Sequence, residues 1–113
     1  MKKYNYSKQK INSSDITNVK KTLLFQDLSR GPAVRQFEKN LKKYTKSKYV
    51  VAVNNGTSAL IAAIRSLSLK NNSTIAVPNI TFVASASSVL LSGYKVKLVD
   101  VSEKSGLIEP EIL

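Results

Sequence analysis

Hydrophobic positions along the chain change their spacing near residue 49. Before it they recur every three or four residues, the period of an amphipathic helix. Ile16, Val19, Leu23 and Leu24 form the first set, and Val34, Phe37, Leu41 and Tyr44 the second. The first predicts a helix from about Asp15, with Ser13 or Ser14 as its cap. Gly31-Pro32 breaks the chain, and Pro32 suits the first turn of a second helix. From 49 to 53 the run YVVAV is short, β-branched and continuously apolar. It predicts a strand buried on both faces. A turn follows over 54–58, then a helix over 59–67 with Leu60, Ile61, Ile64 and Leu67 on one face. Residues 74–77 predict a second strand, stopped by Pro78, and 82–91 a helix stopped by Gly93. A third strand is expected over 95–101, a turn over 102–106, and a helix start at Pro110.

Strand, helix, strand, helix, strand predicts an α/β fold with a parallel sheet and right-handed crossovers. The expected organisation is an N-terminal helical segment, 1–48, and the start of an α/β domain, 49–113. Three strands with helices only beginning would leave the sheet poorly covered, so the chain is expected to be the N-terminal piece of a longer protein.

Composition narrows the chemistry. There is no cysteine and no histidine. That excludes a disulfide framework, a thiolate nucleophile, a Cys/His zinc site and a Ser-His-Asp triad within this chain. No apolar stretch is long enough for a membrane span, and the basic start lacks the apolar block of a secretory signal. A cytoplasmic protein is the expectation. The net charge of +11 is unevenly placed: residues 1–48 hold 13 Lys and Arg against 3 Asp and Glu, and residues 49–113 hold 5 against 4. Lysine dominates, which fits solvated faces. The excess also suits a basic surface that helps hold a phosphorylated small molecule or an acidic portion of a longer chain. An anion- or nucleic-acid-binding α/β module without catalysis is the alternative class. Scarce arginine and the lack of a basic-aromatic pattern count against nucleic acid.

The segment Val53-Asn54-Asn55-Gly56-Thr57-Ser58-Ala59-Leu60 carries the most chemistry. A strand running through Asn, Gly and hydroxyl residues into a helix aims backbone N–H groups and the positive helix end at one point. Gly56 allows an oxyanion to approach, and Thr57 and Ser58 add donors. The same residues also suit a plain helix cap, and the pattern alone leaves both readings open. Neither a G-x-G-x-x-G turn nor a P-loop is present.

Several dispersed motifs, in order, extend that segment: YSKQKINSSDI (6–16), GPAVRQFEKNLKKY (31–44), YVVAVNNGTSALIAAI (49–64) and VPNITFVASASSVLLSGYKVKLVDV (77–101). Together they resemble the DegT/DnrJ/EryC1/StrS family of sugar aminotransferases. The opening looks most like the nucleotide-sugar 4-aminotransferases of the pseudaminic acid type. The resemblance implies the large domain of a fold-type I aminotransferase that uses pyridoxal 5'-phosphate. A smaller C-terminal domain and a homodimer are implied with it, as are a nucleotide-sugar substrate and an amino-acid donor. It places Gly56, Thr57 and Ser58 in the phosphate-binding turn and Phe82 against the pyridine ring. The family's cofactor-bearing lysine would lie beyond residue 113. No catalytic residue is therefore expected in this chain, which alone should not transaminate. A dehydratase of the same family is a further possibility. Asp100 is read as structural. Lys95, Lys97 and Lys104 are read as solvated. Tyr4 and Tyr6 could face a nucleotide sugar, although no spacing rule supports it.

Overall fold

A computed structural model describes residues 7–29 and 31–112. Tyr4 and Tyr6 lie outside the described residues. The chain divides into two compact units, Met1–Ala52 and Val53–Leu113.

The first unit contains two helices, α1 (Ser13–Phe25) and α2 (Pro32–Thr45). The cap of α1 is Asn12, not Ser13 or Ser14. Its side chain accepts from Ser14 N–H at 2.9 Å and Asp15 N–H at 3.1 Å, and Asp15 Oδ2 accepts from Asn12 N–H at 2.9 Å. This reciprocal capping box satisfies donors that either serine would have covered singly. Pro32 stands at the start of α2, as its fixed φ favours. Gly31 is required by space: a Cβ there would strike the carbonyl oxygen of Asp27. Neither helix buries a side chain.

Residues 49–53 form no strand among the described residues. A strand needs a ladder partner, and among the described residues only the Ala52 N–H of this run finds an acceptor, Glu38 Oε1 at 2.8 Å. Tyr49 and Val51 stay 78% and 79% exposed. Apolar, β-branched composition suits a strand, but it cannot supply the neighbour that makes one.

The second unit contains α3 (Gly56–Ser66), β1 (Thr74–Pro78), α4 (Ala84–Leu91) and β2 (Lys95–Val99), with a 3₁₀ turn at Pro110–Ile112. The strands pair in parallel from Thr74 with Lys95 to Pro78 with Val99. The ladder is framed by Lys95 N–H to Ser73 O at 3.0 Å and Asn79 N–H to Val99 O at 2.9 Å. α4 joins the strands and packs on both, and α3 packs on α4. Val77, Ala84, Val89 and Val99 form the core around Ser88. Gly93 follows α4 at φ +86°, a left-handed stop that a Cβ would strain. The Arg65 guanidinium donates to Leu91 O at 2.9 Å, tying the last turn of α3 to that of α4.

Several boundaries shift from expectation: α1 begins at Ser13 instead of about Asp15, and β1 runs through Pro78 instead of stopping before it. α3 begins at Gly56 instead of 59, because Asn55 caps the helix and draws residues 56–58 into its first turn. α4 begins at Ala84 instead of 82, leaving Thr81, Phe82 and Val83 in the loop where β-branched and aromatic side chains keep χ1 freedom. β2 stops at Val99 because Asp100 turns its carboxylate onto the next backbone amide.

Candidate functional site

The first turn of α3 and the loop before α4 line one open cleft of about 750 Å³. Asn55, Gly56 and Thr57 contribute from one side, Phe82 and Ser85 from the other, with Ala59, Leu60 and Ala63 along the α3 wall.

Asn55 organises the α3 end. Its backbone is extended and its Oδ1 accepts from Ser58 N–H at 2.8 Å, while Asn55 O accepts from Ala59 N–H at 3.1 Å. The cap reading is therefore realised, but by Asn55 rather than by a hydroxyl of Thr57 or Ser58. It also leaves donors over. The N–H groups of Gly56 and Thr57 have no protein acceptor among the described residues. Both residues line the cleft, at the positive end of an 11-residue helix. Gly56 has nothing within 4 Å of where a Cβ would stand, so an anion can come close to its backbone. Ser58 is outside the lining and its amide is occupied.

Phe82 shares this cleft. Its side chain is 75% exposed, so the ring is a free wall and not part of the core. The Phe82 carbonyl accepts from Ser85 N–H at 2.9 Å, and the hydroxyls of Thr81 and Ser85 lie 2.9 Å apart. Free amides and an aromatic face meeting in one cleft fit a flat, phosphorylated ring.

Asp100 stands outside the cleft. Its Oδ1 accepts from Val101 N–H and Asn79 Nδ2, each at 2.9 Å. These two donors hold its carboxyl below the ordinary value of 3.8, the backbone bond contributing most. Lys95, Lys97 and Lys104 are all exposed. A separate hollow of about 660 Å³ runs along α1, lined by Ile11, Ile16, Val19, Leu23 and Leu24 with Asp15 and Lys20. Its exposed surface is almost wholly apolar. No cluster of His, Cys, Asp and Glu suited to a metal ion exists among the described residues, and no described helix is long and apolar enough to cross a membrane.

Sequence reasoning did not single out Asn55 as the cap, nor Asn79 at all. The signal for Asn55 was an Asx residue one position before a glycine at a helix start. Asn79 had none, because its partner is 21 residues away.

Comparison with known proteins bears on the family and the fold. The DegT/DnrJ/EryC1/StrS aminotransferase family matches residues 9–113. A UDP-4-amino-4,6-dideoxy-N-acetyl-beta-L-altrosamine transaminase of Campylobacter jejuni is 34% identical over 107 residues, 95% of this chain and 28% of the relative. Among solved structures, an aminotransferase from Psychrobacter cryohalolentis superposes with a TM-score of 0.82 at 34% identity, covering 90% of this chain and 26% of that one. NtdA of Bacillus subtilis, solved with bound cofactor PMP, gives 0.73 at 32% identity, covering 87% and 22%. The chain thus spans little more than a quarter of the length of the curated transaminase it matches. The expected α/β fold of this enzyme class is met, and the chain belongs to the DegT/DnrJ/EryC1/StrS aminotransferase family.

Proposed function

We propose that the second unit is the start of the cofactor-binding large domain of a pyridoxal 5'-phosphate-dependent sugar aminotransferase, and that 1–48 is its helical N-terminal segment. The whole protein would move an amino group from an amino acid to a nucleotide-linked keto-sugar for surface polysaccharide, in the cytoplasm and as a homodimer. The observation that carries this reading is the shared cleft: the unpaired amides of Gly56 and Thr57 on one wall, the exposed Phe82 ring on the other. The nucleotide-sugar substrate is supported by the names of relatives such as the Campylobacter transaminase.

Bound there, pyridoxal 5'-phosphate supplies the electron sink through which nitrogen passes between donor and acceptor. This chain's residues bind and orient. The Gly56 and Thr57 amides grip the phosphate at the positive end of α3, with Ser58 supporting the turn through its bond to Asn55. Phe82 covers one ring face and keeps water from it. Neither histidine nor cysteine is available to move a proton, and Lys95, Lys97 and Lys104 face solvent. The 113 residues alone are therefore proposed not to transaminate.

The deciding experiment is Phe82→Ala in the full-length protein that carries this chain. Loss of a stacked aromatic is expected to weaken cofactor retention by roughly three- to tenfold. The thermal midpoint should stay near that of the parent, since the ring is exposed. Unchanged retention would return Phe82 to a surface residue without a ligand.

A further inference from the structure

We propose that Asn79 and Asp100 are positioning residues that hold the loop carrying Phe82 over the cleft, a role that rests on the ring-stacking reading of Phe82. The Phe82 side chain is 75% exposed, so no packing fixes its direction. Its direction must come from the backbone, and the backbone of this loop is anchored at both ends. At the β1 end, Asn79 N–H donates to Val99 O and Asn79 Nδ2 donates to Asp100 Oδ1, each at 2.9 Å. The same carboxylate oxygen receives the Val101 N–H, so the anchor is itself locked to the end of β2. At the α4 end, Ser85 N–H holds the Phe82 carbonyl and the Thr81 and Ser85 hydroxyls meet. Only residues 80–84 lie between Asn79 and Ser85. A charged acceptor makes the Asn79–Asp100 bond stronger and more directional than a neutral pair would. Neither Asn79 nor Asp100 lines the cleft, so each can act on a bound ring only through this loop.

The test measures binding of two probes, pyridoxamine 5'-phosphate and inorganic phosphate, to the full-length protein. Asn79→Ala should weaken pyridoxamine phosphate by roughly three- to tenfold, the range of one stacking contact. It should leave inorganic phosphate unchanged, because the Gly56 and Thr57 amides are untouched. Adding Asn79→Ala to Phe82→Ala should cause no further loss, since both changes remove the same contact. Asp100→Ala should reproduce Asn79→Ala, and Asp100→Asn, which keeps an acceptor oxygen, should recover most of the affinity. Two results overturn the proposal and leave the stacking reading standing. One is Phe82→Ala weakening the ring probe while Asn79→Ala does not. The other is Asn79→Ala weakening both probes equally in either background, the mark of a general structural loss. An inert Phe82→Ala overturns both readings together.

Discussion

The two units of this chain use the same local grammar and end with different results. Each has an asparagine-capped helix, Asn12 before α1 and Asn55 before α3. Each also has a second helix with apolar residues spaced for packing. Yet among the described residues every buried hydrophobic side chain lies in the second unit, at Val77, Ala84, Val89 and Val99. In the first, Ile16, Val19, Leu23 and Leu24 stay about three-fifths exposed along α1. Capping and periodicity make a helix, and a core needs a second layer at contact distance. The parallel pair β1–β2 supplies that layer for α4. The chemistry follows the same division. Free amides at a helix start become a site only where another element, here the Phe82 loop, closes the opposite wall.

Truncating the best-buried side chain tests this contrast most severely. Val89→Ala should cost about 2–3 kcal/mol by lost burial and cavity formation. Val19→Ala, on the exposed side of α1, should stay within about 0.5 kcal/mol. Denaturant titration of both variants measures the gap, and equal costs would mean that α1 is packed as tightly as α4 in solution.

Proline at the first helical position sharpens the chemical half of the comparison. Gly56→Pro keeps the helix start and deletes one free donor. Inorganic phosphate binding should weaken by roughly tenfold, the worth of one charge-assisted hydrogen bond. The matching Ser13→Pro at α1 should leave phosphate binding as it was.

Removing the caps separates structure from site. Asn12→Ala and Asn55→Ala should each cost about 1 kcal/mol of helix stability, read by far-ultraviolet circular dichroism during thermal melting. Only Asn55→Ala should also change phosphate affinity, because its helix end presents free amides to the Phe82 cleft, whereas the hollow along α1 is almost wholly apolar.

The smallest effect concerns acid. Asp100 has a carboxyl held below its ordinary value in the folded chain. Its contribution is present above the unfolded value and is lost as pH falls through the lower, folded one. Melting temperature should therefore drop below about pH 4 in part through this group. Asp100→Asn should flatten that part of the profile, by losing the small carboxylate contribution at neutral pH.

Legibility in the sequence followed the range of each interaction. Pro32 at a helix start and Gly93 as a left-handed stop are local facts, and both stand where the pattern placed them. The two strands expected over 74–77 and 95–101 were also legible as elements, although β1 runs through Pro78 and β2 ends at Val99. The strand expected over 49–53 was not met, because its composition describes a residue type and its pairing requires a neighbour. For the candidate site, the family resemblance singled out Gly56, Thr57, Ser58 and Phe82. That Gly56, Thr57 and Phe82 share one cleft and that Ser58 turns its amide to Asn55 were not visible in the motifs.

By itself, the order of residues determined where helices begin and stop, which segments favour extended backbone, and which side chains are chemically available. Those choices depend on backbone dihedrals and contacts within about four positions of each residue. Only the tertiary structure decided which apolar faces are covered, and that Asn79 reaches Asp100 across 21 positions. It alone brought the start of α3 opposite the Phe82 ring, because no short-range preference encodes the packing of one helix against another.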